Sequence, residues 1–149
     1  MLSACSADAP DPPREPTSAS TGEMPIASPS APVPPENAIT SATELIGEYR
    51  VAGLDGRSID LPHGLTVSIR QDTIVLFEGC MSMAWRYHFD AGRLVTARRH
   101  DLVGRCTRPP QSTEEAIGLA FDAATGVRRT PANGIDFYGG GHTVTLFSQ

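Results

Sequence analysis

The sequence predicts a mainly β domain of the α+β class: a small curved antiparallel sheet or partly open β-barrel with one helix packed on it. Three observations carry this. Several short stretches alternate apolar and polar residues with period two and are separated by turn-forming residues. One stretch repeats its apolar residues at helical spacing behind a capping signal. All nine aromatic residues lie from Tyr49 onward, whereas nine of the 13 prolines lie in residues 1–38, so the apolar material for a core is confined to the later part.

The first strand falls at residues 48–52, before the turn Gly53-Leu54-Asp55-Gly56. Leu65, Val67 and Ile69 then alternate with Thr66, Ser68 and Arg70, and Gln71-Asp72 turns the chain into a second run at 73–77, giving a hairpin. Trp85, Tyr87 and Phe89 alternate with Arg86 and His88, and Asp90-Ala91-Gly92 leads into Leu94 and Thr96 as a second hairpin. Residues 134–138 and 143–147 flank Gly139-Gly140-Gly141 as a third.

Between the second and third hairpins, Pro109-Pro110-Gln111 precedes Ser112-Thr113-Glu114-Glu115, where Ser112 caps and Glu115 at N3 closes a capping box. Ala116, Ile117, Ala120, Phe121 and Ala124 form one apolar stripe that should lie on the sheet, until Gly126 stops the helix. Seven or so short strands and one helix cannot cover both faces of a flat layer, so the sheet should curve strongly around the helix; a sandwich is the second choice.

The 149 residues suffice for one ordinary domain, and no apolar run approaches the length of a membrane-spanning helix. The 12 basic residues are all Arg, and with 17 acids the net charge of -5 excludes a general nucleic-acid binder. Residues 6–38, rich in Pro, Ser and Ala, have no apolar set to offset ordering entropy and read as a disordered tether. Ahead of the tether, Leu2-Ser3-Ala4-Cys5 is similar to the lipobox of bacterial lipoproteins, which makes Cys5 the expected lipidation site and an N-terminal lipid anchor the expected tie to the membrane. Residues 1–5 then read as the remnant of a signal whose charged and apolar parts are missing, as from a start codon placed too late or a trimmed sequence. Ser6 rather than Asp after the cysteine implies sorting to the outer membrane, facing the periplasm.

Gly79-Cys80 at a strand end, Tyr87 seven residues on, a glycine turn at Gly92 before Leu94, Cys106, a Glu-containing helix and two final strands together resemble the META domain of HslJ-like envelope proteins. The resemblance covers about residues 44–149 and assigns residues 39–149 to that domain. Met81, Trp85 and Leu102 stand where the family commonly has Asn, Gly and Thr. It implies a β-rich envelope domain, often on a lipoprotein and linked to heat or antibiotic stress, with no established catalysis.

In an exported domain Cys80 and Cys106 are expected to pair as a disulfide, contributing about 3 kcal/mol by loop entropy; the alternative is two buried free thiols. His63, His88, His100 and His142 show no metal-ligand spacing, so no metal and no cofactor is expected. His100-Asp101 could be forced into a catalytic dyad with a serine, but no G-x-S-x-G elbow supports it, and the reading is of a non-enzyme. Residues 86–108 hold six arginines against Asp90 and Asp101, and Arg86, Arg98, Arg99, Arg105 and Arg108 form a candidate surface for phosphate or carboxylate groups. Two functions follow: a noncatalytic, lipid-anchored envelope protein binding an envelope component or protein partner, or a tethered inhibitor of a protease or lysozyme.

Overall fold

A computed structural model describes residues 35–61, 63–101 and 108–149. The tether, Cys5, Arg105 and Cys106 lie outside the described residues. Ten strands and one α-helix follow in chain order. They are β1 (Ala38–Ile39), a 3-10 turn (Ala42–Glu44), β2 (Gly47–Leu54), β3 (Arg57–Ser58), β4 (Thr66–Ile69), β5 (Thr73–Glu78), β6 (Met81–Asp90), β7 (Arg93–Arg98), α1 (Ser112–Ala123), β8 (Gly126–Arg129), β9 (Ile135–Gly139) and β10 (His142–Ser148).

Every pairing is antiparallel, in the order β1-β8-β9-β10-β2-β4-β5-β6-β7, with β3 on β2. The three expected hairpins are β4 with β5, β6 with β7 and β9 with β10. The sheet is open, ending at β1 and β7. Its curvature can be read from one helix residue. Trp85 of β6 and Phe137 of β9 stand five strand spacings apart, about 24 Å in a flat sheet. Yet the Phe121 ring of α1 lies 5.0 Å from the first and 5.1 Å from the second. The sheet therefore wraps round α1, and Ile117, Ala120 and Phe121 fill its interior with Val67, Ile74, Leu76, Phe137 and Leu146.

The free edge of β7 meets the end of the helix instead of another strand: the Leu94 N–H donates to the Thr125 carbonyl at 3.1 Å and the Thr96 hydroxyl to that of Phe121 at 2.9 Å. This cover keeps the edge from serving as a template for another chain.

Four local details differ from the sequence reading. The helix cap is one residue earlier: Gln111 is N-cap and Glu114, not Glu115, is N3, its carboxylate accepting from the Gln111 N–H at 2.6 Å. Gly126 opens β8 instead of merely ending the helix, and β8 was not expected because Val127 alone marks its inner face. In β2, Leu146 pairs with Val51 and Thr145 with Gly53, so Ala52 is an extra residue. This bulge breaks the alternation and lets Val51 and Leu54 both reach the core. The outermost strand also takes in Ala38, which composition assigned to the tether.

Candidate functional site

Of the five sequence-predicted arginines, four lie among the described residues; Arg98 and Arg108 reach the helix, whereas Arg86 and Arg99 lie on exposed parts of β6 and the end of β7. Each of the four is held by a carboxylate. Arg86 pairs with Asp72 across the turn that opens β5. Arg99 makes two bonds to Asp101, at 2.8 and 2.7 Å, which hold the Asp101 carboxyl below its ordinary range. His100 between them is exposed.

Arg98 ends β7 on the inner face and runs under the helix. Its Nε donates to Asp122 Oδ1 at 3.1 Å, and Glu115 is 3.3 Å from its other side. Glu115 and Asp122 are seven residues apart, two turns, and so share one helix face. The guanidinium also lies 5.5 Å from the centre of the Trp85 ring, whose Nε1 donates to the same Asp122 oxygen at 2.6 Å. Gly118 makes room for this: a Cβ there would sit 2.6 Å from Arg98 and 2.9 Å from the Met83 sulfur. That requirement outweighs the roughly 1 kcal/mol that a mid-helix glycine costs.

Arg108 performs the same office at the helix N-terminus. It forks onto both oxygens of Glu114, at 2.6 and 2.8 Å, and also pairs with Glu78 at the end of β5. Glu114 is only 4% exposed, and Arg108 first and the Gln111 N–H second hold its carboxyl below the usual range. The Arg108 N–H donates to the Cys80 carbonyl at 3.2 Å, so the chain just past residue 107 returns to the β5–β6 turn. Leu61, His63, Glu78, Arg108, Gln111 and Glu114 line a shallow cleft of about 90 Å³ there. Cys80 is disulfide-bonded. The sequence reading does not identify Asp72, Glu78 or Asp122 as counter-ions and gives Glu115 a capping role alone; the two-turn spacing of Glu115 and Asp122 is the available signal.

A second surface lies on the outer face of the sheet. Pairing aligns Phe147 of β10, Arg50 of β2, Thr66 of β4, Phe77 of β5 and Ser82 of β6 in one row across five strands. Phe77 and Phe147 remain 39% and 37% exposed. Arg50 between them has no carboxylate partner among the described residues and lies over Gly64, where a Cβ would be 3.0 Å from its Nε. Gln149 reaches Thr66 Oγ1 at 3.3 Å beside it. A guanidinium with no partner among the described residues, beside the Phe147 ring and one strand removed from that of Phe77, can take an anionic group whose apolar part covers those rings.

A third polar pair closes the far end, where Asp55 accepts from the Thr143 N–H at 2.8 Å and lies 3.1 Å from His142 Nδ1. The Thr143 N–H, then His142, lowers the Asp55 pKa. Among the described residues no three His, Cys, Asp or Glu gather as a metal site.

No family model matches the chain, and no curated protein matches it either. Among solved structures, an NMR structure of a protein from Burkholderia xenovorans is similar to it over 85% of this chain and 99% of that one, at 19% identity and a TM-score of 0.49.

Proposed function

We propose that this chain is a noncatalytic, lipid-anchored protein of the bacterial envelope, of the META/HslJ-like kind, that binds an anionic envelope polymer. The observation that carries the reading is the disulfide at Cys80, because such bonds form and persist outside the reducing cytosol. The lipobox-like Cys5 and the Pro-rich tether support the same compartment. The Arg108 contact with the Cys80 carbonyl supports Cys106, two residues earlier in the chain, as the partner thiol.

For the binding surface, the four described arginines of residues 86–108 already hold internal carboxylates, Arg98 and Arg108 those of the helix and Arg86 and Arg99 those of neighbouring turns, which favours the outer row of Phe147, Arg50 and Phe77. Charge complementarity supplies the occupant: Arg50 has no anionic partner among the described residues, and the phosphates or carboxylates of a surface polymer would provide one. A role in heat or antibiotic tolerance follows from the resemblance alone.

The test is an intact mass of the protein expressed from its own gene and taken from the membrane fraction, with and without reduction. A species beginning at Cys5 with added acyl mass and gaining two protons on reduction is the expected result; an unlipidated, fully reduced protein would overturn the reading. Retention of the full chain on lipopolysaccharide or peptidoglycan should fall with Arg50→Ala and Phe77→Ala and persist with Arg99→Ala.

A further inference from the structure

The β8–β9 connection contains Asn133-Gly134, and its geometry sets a chemical liability against a structural restraint. Gly134 is required by space. A Cβ there would lie 2.7 Å from the Leu146 carbonyl oxygen and 2.9 Å from the Phe147 ring. The residue that packing demands is also the one whose backbone nitrogen is least shielded from the preceding side chain, since it carries no side chain of its own. Asn133 is exposed and left-handed, with φ 61°.

The same nitrogen is tied. The Gly134 N–H donates to Thr130 Oγ1 at 2.9 Å, the Thr130 N–H donates to the Gly134 carbonyl at 2.9 Å, and the Asn133 N–H donates to the Thr130 carbonyl at 3.1 Å. Both polar groups of Gly134 are therefore bonded to one residue.

We propose that Asn133 is a site of spontaneous deamidation that the native hairpin suppresses through the Thr130 hydroxyl. In the reaction the Gly134 nitrogen attacks Asn133 Cγ, the new C–N bond closes a succinimide, and the side-chain amide leaves as ammonia, carrying the proton lost from Gly134. Water then opens either ring carbonyl, giving aspartate or isoaspartate. Attack requires the Gly134 nitrogen to turn from Thr130 toward Asn133 Cγ, which breaks the bond to Thr130 Oγ1, so only locally opened molecules react. The isoaspartate product lengthens the backbone within the turn and cannot keep both Thr130 bonds, so modification loosens the hairpin that carries β1.

The test follows intact mass and isoaspartate content of the full chain during prolonged incubation in mildly alkaline buffer, comparing wild type, Thr130→Ser and Thr130→Val, each shown to be folded by circular dichroism. Thr130→Val should deamidate about fivefold faster than wild type, the opening expected from losing one ordinary hydrogen bond, while Thr130→Ser tracks wild type. Wild type unfolded in urea should react faster than folded wild type, a comparison needing no variant, and Asn133→Gln should remove the mass gain, which Asp55-Gly56 isomerisation does not produce. Equal rates for Thr130→Val and wild type, or for folded and unfolded wild type, would overturn the proposal.

Discussion

Trp85 and Arg98 share a single acceptor: the indole N–H and the guanidinium Nε both donate to Asp122 Oδ1, at 2.6 and 3.1 Å, while the guanidinium lies over the ring. One helix carboxylate thus satisfies the polar edge of a fully buried Trp and the charge of a strand-end Arg. Asp122→Ala should cost about 2–3 kcal/mol, because it orphans the buried indole N–H and leaves Arg98 with Glu115 alone. Glu115→Ala removes only a partly exposed partner of the same Arg and should cost under about 1 kcal/mol. Urea unfolding followed by Trp85 emission measures both, and equal losses would contradict the shared-acceptor account.

Arg108→Ala leaves the Glu114 carboxylate without its cation and should destabilise the domain near neutral pH. The pH dependence has a definite sign. Glu114 has a lower pKa folded than unfolded, so its contribution is present above the ordinary value of 4.5 and is lost as pH falls through the depressed folded value. The variant should therefore lose less on acidification than wild type, seen as a smaller shift in the urea midpoint below pH 4.5.

At the alkaline end the sign reverses. Burial, then the Asp72 charge, pushes the Tyr87 hydroxyl up to about 12, and it donates to the Arg70 carbonyl at 2.8 Å. A raised folded pKa gives stability that is full below the unfolded value of 10 and disappears between 10 and about 12. Tyr87→Phe should flatten the stability loss across that window, and the phenolate absorbance titration should lose its latest component.

Two neighbouring glycines should respond differently to the same change. A Cβ at Gly139 would lie 2.6 Å from the Thr125 backbone nitrogen, so Gly139→Ala must displace the segment after α1 and should cost about 3 kcal/mol. At Gly141 nothing lies within 4 Å, and only its φ of 86° opposes a side chain, so Gly141→Ala should cost about 1–2 kcal/mol. Thermal unfolding of the two variants separates steric from conformational cost.

The elements legible in the sequence are those whose apolar residues repeat: β4 through β7, β9, β10 and the Phe121 stripe of α1. β8 escaped because four residues with one inward Val carry no period, and the β2 bulge escaped because Ala52 is a small residue that disturbs no pattern. The arginines were visible, but their purpose was not. Ion pairs such as that of Arg98 and Asp122 join residues 24 apart in the chain, and no local rule links them. The outer row of Phe147, Arg50 and Phe77 depends wholly on strand register, which only the assembled sheet defines.

The two-residue strand β1 also has a mechanical meaning. Any pull delivered through the residues before Asn37 reaches the domain first at β1, held to β8 by the Ala38 and Ile39 pairings and by Asn37 bonded to Arg129 at 2.9 and 2.5 Å. Those bonds would part in sequence, like a zipper, and release about 20 Å of chain before tension arrived at the fully buried Leu45. Because Ile39 belongs to the core, parting β1 from β8 would also draw that side chain out, so β1 is the first part of the core that an outside force would load.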